Sequence, residues 1–151
     1  MIDRFDRKRF EDALPRHKDT QQPVWRGLGL IGGEYCYTVE IQPGVLIYIR
    51  SSVKADGWAA DTAEDSIRCW LTDPQGRPLA SKDQAYVTRV NGWAGRLTDL
   101  LRKMWRLGSQ LGECPHCGAT TLAVKTKTGQ HVGRYHERCG PCGLWLRWLE
   151  D

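Results

Sequence analysis

No apolar run in the 151 residues approaches the roughly 18 that a bilayer-spanning helix needs. The stretch Met1 to Phe10 mixes charges with single apolar residues and lacks the apolar core of a secretory signal. Both absences predict a cytoplasmic protein with no membrane partner. Catalytic signatures are missing too: there is no H-N-H element, no Walker loop and no G-x-S-x-G turn, so the expectation is a protein that is not an enzyme. Phenylalanine is scarce, with two residues against seven Trp and five Tyr. Trp and Tyr carry a polar handle on a large flat ring, which suits some of them to a surface, while core packing is the plainer use.

Acidic residues are scarce in one place only. Residues 1–85 hold 12 Lys and Arg against 13 Asp and Glu, a net of −1; residues 86–147 hold 10 against 3, a net of +7. The overall charge of +4 hides this asymmetry. Clustered positive charge, unlike dispersed charge, is the footprint of a polyanion partner.

The chain is long enough for one core plus a small stapled module. Residues 1–23 are highly charged and end in a polar stretch between Pro15 and Pro23, which predicts a flexible arm, or a short helix and linker. From 24 to 90 the pattern alternates as strands do. Tyr35, Tyr37, Val39 and Ile41 form one face of a strand, Pro43-Gly44 turns it, and Val45, Ile47 and Ile49 form a face of the next. Further strands are predicted around 25–30, before Gly32-Gly33, at 66–72, before Asp73-Pro74-Gln75-Gly76, and at 85–90. Cys36 and Cys69 then lie within strands as small buried apolar residues. A helix follows: Asn91 can cap it, and Trp93, Leu97, Leu100, Leu101, Met104 and Leu107 fill an arc of about 120°. Gly108 suits a left-handed stop.

Beyond the helix stand Cys114-Pro115-His116-Cys117-Gly118 and Cys139-Gly140-Pro141-Cys142-Gly143. Two C-x-x-C pairs with 21 residues between them offer four thiolates, a donor set suited to tetrahedral Zn²⁺ with no position left open for substrate. Cys114, Cys117, Cys139 and Cys142 are therefore the expected ligands of a structural zinc, and His116 and His136 bystanders. Glycine after each pair permits a tight turn that aims backbone N–H groups at sulfur. Residues Glu113 to Glu150, about a quarter of the chain, resemble the zinc ribbons, in which such knuckles sit at the ends of β-hairpins. The module is similar to those at the ends of bacterial type I topoisomerases and in transcription factors. The resemblance implies DNA or RNA binding, a structural role or protein binding, with an extended hairpin between the knuckles.

The predicted fold class is thus α+β: an antiparallel sheet of four to five strands packed by one long helix, in residues 24–112, followed by a C-terminal zinc ribbon in residues 113–151. Arg89, Arg96, Arg102, Lys103 and Arg106 lie on or just before the helix, and Asp99 is the only acid from Tyr86 to Gly112. Lys125, Lys127, Arg134, Tyr135 and Arg138 populate the ribbon hairpin. Two-fold periodicity puts Arg68 with Trp70 on one strand face and Tyr48 with Arg50 on another; whether these coincide depends on register. Coincident faces would offer unpaired bases a stacking surface, which favours single-stranded DNA over RNA or duplex, with a role in replication, recombination or annealing. Solvated charge is the alternative reading of the basic residues.

Two other functions fit parts of the chain. The apolar tail Leu144-Trp145-Leu146-Arg147-Trp148-Leu149, with Leu144, Leu146 and Trp148 on one face and Trp145 and Leu149 on the other, suits packing on the N-terminal sheet, a seam between copies, or a protein adaptor docking on replication or transcription machinery. Asp56, Asp61, Glu64 and Asp65, followed by Arg68, suit a weaker candidate, a Mg²⁺-dependent nuclease.

Overall fold

The computed structural model describes residues 7–51, 66–80, 83–87 and 92–150. Five strands form one antiparallel sheet in sequence order: β1 (Trp25–Ile31), β2 (Glu34–Gln42), β3 (Val45–Ser51), β4 (Ser66–Thr72) and β5 (Asp83–Val87). Two-residue turns set the first two pairings. Gly32 and Gly33 both take positive φ (59° and 81°), and Ile31 pairs directly with Glu34, the two-residue hairpin whose twist matches the strands. Pro43 and Gly44 close the next hairpin, with Gly44 at φ 87°. After β4, the Asp73 carboxylate accepts the backbone N–H groups of Gln75 and Arg77 and pairs with the Arg77 guanidinium at 2.7 Å, which fixes the turn. The last strand lies two residues earlier than its expected start, and residues 88–90 are outside the described ones.

Alternation decides which face is covered. Val39, Val45, Ile47, Ile49, Ile67, Cys69 and Leu71 are buried on one side of the sheet. Against them lies α2 (Trp93–Ser109), which buries Trp93, Leu97, Leu100, Leu101, Met104 and Leu107, the full predicted stripe. Each such side chain removed from water contributes about 1.5–3 kcal/mol, so this seam dominates the stability of the fold.

Two expectations are corrected at the helices. The long helix does not pack alone: α1 (Arg7–Ala13) lies inside the segment expected as an arm or a short helix and linker. Its Phe10 is buried with Leu14, and Phe10 meets the Tyr37 ring at 5.2 Å. Gly108 is no left-handed stop. It lies within α2, buried against Ile41, Leu71 and Val45, and the helix ends at Gln110. The side chain of Gln42 on β2 donates to the carbonyls of Gly108 and Leu111, at 2.7 and 2.8 Å, satisfying acceptors that a helix end leaves open. At the start of α2 the N-cap position is Gly92, left-handed at φ 77° and without a side-chain cap, while Asn91 lies outside the described residues.

The second sheet comprises β6 (Leu122–Lys125), β7 (Tyr135–Arg138) and β8 (Trp145–Trp148), antiparallel in that order. It is tied to the first by the chain after the Asp73 turn. Leu79 N–H donates to the Leu71 carbonyl and its own carbonyl accepts from Ala123 N–H, both at 2.8 Å. Ala123, Tyr135 and Leu149 belong to the same buried cluster as the large sheet and helices. Among the described residues, no helix is long and apolar enough to cross a membrane.

Candidate metal centre and nucleic-acid interface

Each C-x-x-C pair forms the same local turn. Gly118 N–H donates to the Cys114 carbonyl and Gly143 N–H to the Cys139 carbonyl, both at 2.8 Å, and the two glycines take φ 77° and 69°. These are conformations that a β-carbon disfavours. The turns aim backbone N–H groups at sulfur as expected: His116 N–H lies 3.4 Å from Cys114 Sγ and Cys142 N–H 3.4 Å from Cys139 Sγ. All four Sγ atoms lie within 4.8 Å of one another, with Cys117 and Cys139 at 3.4 Å. A tetrahedron of thiolates around zinc has edges of about 3.8 Å, so the cluster can hold a metal ion after small adjustments.

Electrostatics within the cluster are uneven. Backbone N–H groups, led by that of Cys117, draw the Cys114 thiol down to about 7, the direction a metal ligand requires. Neighbouring thiols, Cys117 first, push Cys142 up to about 12. A divalent cation would remove that conflict by neutralising the sulfurs. His116 and His136 contribute no ligand atom to the group, and no second group of this kind exists among the described residues. Cys36 and Cys69 are both buried, on opposite faces of the sheet.

The register left open by the sequence is resolved. Tyr48 pairs with Trp70 and Arg50 with Arg68 across β3 and β4, so all four occupy one face, opposite the helices. The Tyr48 and Trp70 rings stand 5.2 Å apart. Glu34, which the sequence did not single out, sits between the two arginines, 3.5 Å from Arg50 and hydrogen-bonded to Arg68. It holds both guanidiniums in place and cancels one of their charges.

On α2, Arg96, Arg102 and Arg106 are exposed and Lys103 is half-buried, its ammonium 5.2 Å from the Tyr135 ring. Tyr135 itself was expected as a nucleic-acid contact. Only 2% of it is exposed, because β7 turns this side toward the shared core, so it is a core ring and not a stacking platform. Lys125, Lys127, Arg134 and Arg138 are exposed on the ribbon. Arg89 and the acidic cluster Asp56, Asp61, Glu64 and Asp65 lie outside the described residues.

A ring cluster on the outer face of the ribbon escaped the sequence. Arg138 pairs with Trp145 and Glu137 with Arg147, leaving Leu146 as an extra residue, a bulge. The bulge carries Trp145 and Trp148 to one face, 5.5 Å apart, where simple alternation had separated them. His131 packs on Trp148 at 5.0 Å, buried His136 lies near both indoles, and the Arg134 guanidinium stands 4.6 Å over Trp148. Trp145 is 43% exposed.

No protein-family model, curated protein or solved structure matches this chain.

Proposed function

We propose that this chain is a zinc-containing, non-enzymatic protein that binds single-stranded nucleic acid, DNA in preference to RNA or duplex. The reading rests on one observation: the outer faces of both sheets carry rings held beside guanidiniums, half-buried Tyr48 and Trp70 with Arg50 and Arg68, and exposed Trp145 and half-buried Trp148 with Arg134 and Arg138. Unpaired bases offer flat faces to such rings, and their phosphates are met by the cations; a duplex hides the base faces. The excess positive charge of residues 86–147 supplies the longer-range attraction. Zinc in the Cys114, Cys117, Cys139 and Cys142 cluster holds the two knuckles, and with them the ribbon that presents Trp145. With four thiolates the ion has no open position, so its part is structural.

Titration of fluorescent single-stranded DNA, RNA and duplex oligonucleotides at several salt concentrations tests this. Single-stranded DNA is expected to bind best, with log affinity falling by about 0.7 per phosphate contact for each tenfold rise in salt. Trp70→Ala is expected to weaken binding by about 1–3 kcal/mol, the value of one stacked base. Absence of binding at low salt overturns the reading. It would promote a second one, a protein adaptor, favoured by the exposed Val132, Leu144 and Trp145 side chains of the ribbon. Metal analysis of the purified protein should return one zinc per chain.

A further inference from the structure

α1 and α2 meet along a seam that their side chains do not fill. α1 stops at Ala13, Leu14 turns inward, and Pro15 and Arg16 lead the chain away to a bridge between Arg16 and Pro23. On α2, Thr98, Leu101, Arg102 and Trp105 recur at the i, i+3, i+4, i+7 spacing of one helix face. Between these two sets lies a cleft of about 350 Å³. That is the size of a small ligand site. Leu14 and Leu101 are buried and give it an apolar floor, and half-buried Trp105 is a wall. Thr98 turns its hydroxyl back to the Ala94 carbonyl, at 3.0 Å, so the interior is left apolar on that side. Arg16 and Arg102 stand exposed at the rim, with Arg16 steadied by Asp12 at 3.7 Å and by the Gln21 carbonyl at 3.3 Å. Arg102 also borders a shallow basin of about 210 Å³ shared with Asp99, Lys103 and Arg106.

A flat ring, an apolar floor and two guanidiniums at the mouth match one kind of ligand, an aromatic group carrying an anion. We infer that the α1–α2 cleft binds a nucleoside 5′-phosphate group, the base against Trp105 and the phosphate between Arg16 and Arg102. Resting on the nucleic-acid reading above, this makes the cleft the seat of one nucleotide of a bound strand, and the basin beyond Arg102 the place of the next phosphate. Charge complementarity selects this occupant: Asp12 offsets part of the Arg16 charge, yet an apolar side chain of a protein partner would make no use of Arg102, and a cationic ligand would be repelled by it.

The test uses the full metal-loaded chain and nuclear magnetic resonance of the Trp105 indole N–H, titrated with dAMP, adenosine, inorganic phosphate and a 5′-phosphorylated oligodeoxynucleotide. dAMP is expected to shift the Trp105 signal at about millimolar concentration, adenosine and phosphate each more weakly, and the oligonucleotide at lower concentration. Arg102→Gln, on an exposed position, is expected to weaken dAMP about tenfold with an unchanged melting curve, the loss of one charge-assisted contact. Trp105→Leu keeps the apolar contact but should remove the base preference, so that dAMP binds no better than phosphate. An unmoved Trp105 signal at saturating oligonucleotide overturns the cleft while leaving strand binding elsewhere intact. A Trp105 shift with dAMP but no binding of any oligonucleotide assigns the cleft to free nucleotides and overturns the strand reading alone. Equal binding of phosphate and dAMP to the unmutated chain overturns the inference.

Discussion

Gly108 marks a close approach of α2 to the sheet. A β-carbon built there would stand 2.6 Å from Ile41 Cδ1, 2.9 Å from Leu71 Cδ2 and 3.2 Å from Val45 Cγ1. Alanine favours a helix over glycine by about 1 kcal/mol, but overpacking a filled core costs about 1–3 kcal/mol, and Leu71 and Val45 are too buried to yield cheaply. Gly108→Ala is therefore expected to destabilise the fold by up to about 2 kcal/mol in urea unfolding, against its propensity. His136 sets a second residue-scale test. Its burial, and then the Arg138 charge, lower its pKa below the ordinary 6.5, while Nδ1 pairs with Thr126 Oγ1 at 3.1 Å. The folded state then binds fewer protons than the unfolded one below 6.5, so this contribution is complete above that pH and declines as pH falls toward the depressed folded value. His136→Asn lacks it. The stability difference between the two proteins should narrow from pH 7.5 to 5.5, as read from thermal melts at matched pH.

At the scale of elements, a buried carboxylate helps to hold the ribbon to the end of α2. Glu137 accepts from Thr121 Oγ1, from Gly112 N–H at 3.2 Å and from Arg147 Nε at 2.8 Å, while Arg147 also donates to the Gln110 carbonyl. Arg147→Met removes the charge partner and leaves Glu137 buried, an expected cost of about 1–3 kcal/mol. Hydrogen exchange should quicken along β7 and β8 before it does in the large sheet. This anchoring was not legible in the sequence, where Glu137 is one acid among the basic residues of the hairpin. What was legible had a period: the alternation of β2 and β3, the six-residue stripe of α2 and the two cysteine knuckles, each fixed by spacing within its own segment. Features set by a partner strand or helix were not. The bulge at Leu146 depends on the pairing of β7 with β8, and α1 has only seven residues with Phe10 as its buried member, too few for a period to show. The coincidence of Tyr48, Arg50, Arg68 and Trp70 depended on register in the same way.

The whole molecule has one core running through two sheets, and this decides what metal loss does. Ala123, Tyr135 and Leu149 are buried with the large sheet, and Gln110 on the helix end is bonded through its side chain to the Glu150 backbone in both directions. A ribbon joined only by a linker would unfold on chelation and leave the melting of the rest unchanged. Here, loosening the knuckles withdraws Tyr135 and Leu149 from the shared core, a loss on the order of 3–6 kcal/mol if both are released. For a chain of this size each kcal/mol moves the melting midpoint by roughly 2–4 °C, so a strong chelator is expected to lower it by on the order of 10 °C. Cys117→Ser, at an exposed member of the cysteine cluster, should shift it in the same direction by less. Differential scanning calorimetry with and without chelator separates the cases. One transition moving down together marks a shared core, whereas a ribbon transition splitting away from an unmoved main one would show that the contacts through Leu79 and Ala123 carry no cooperativity between the sheets.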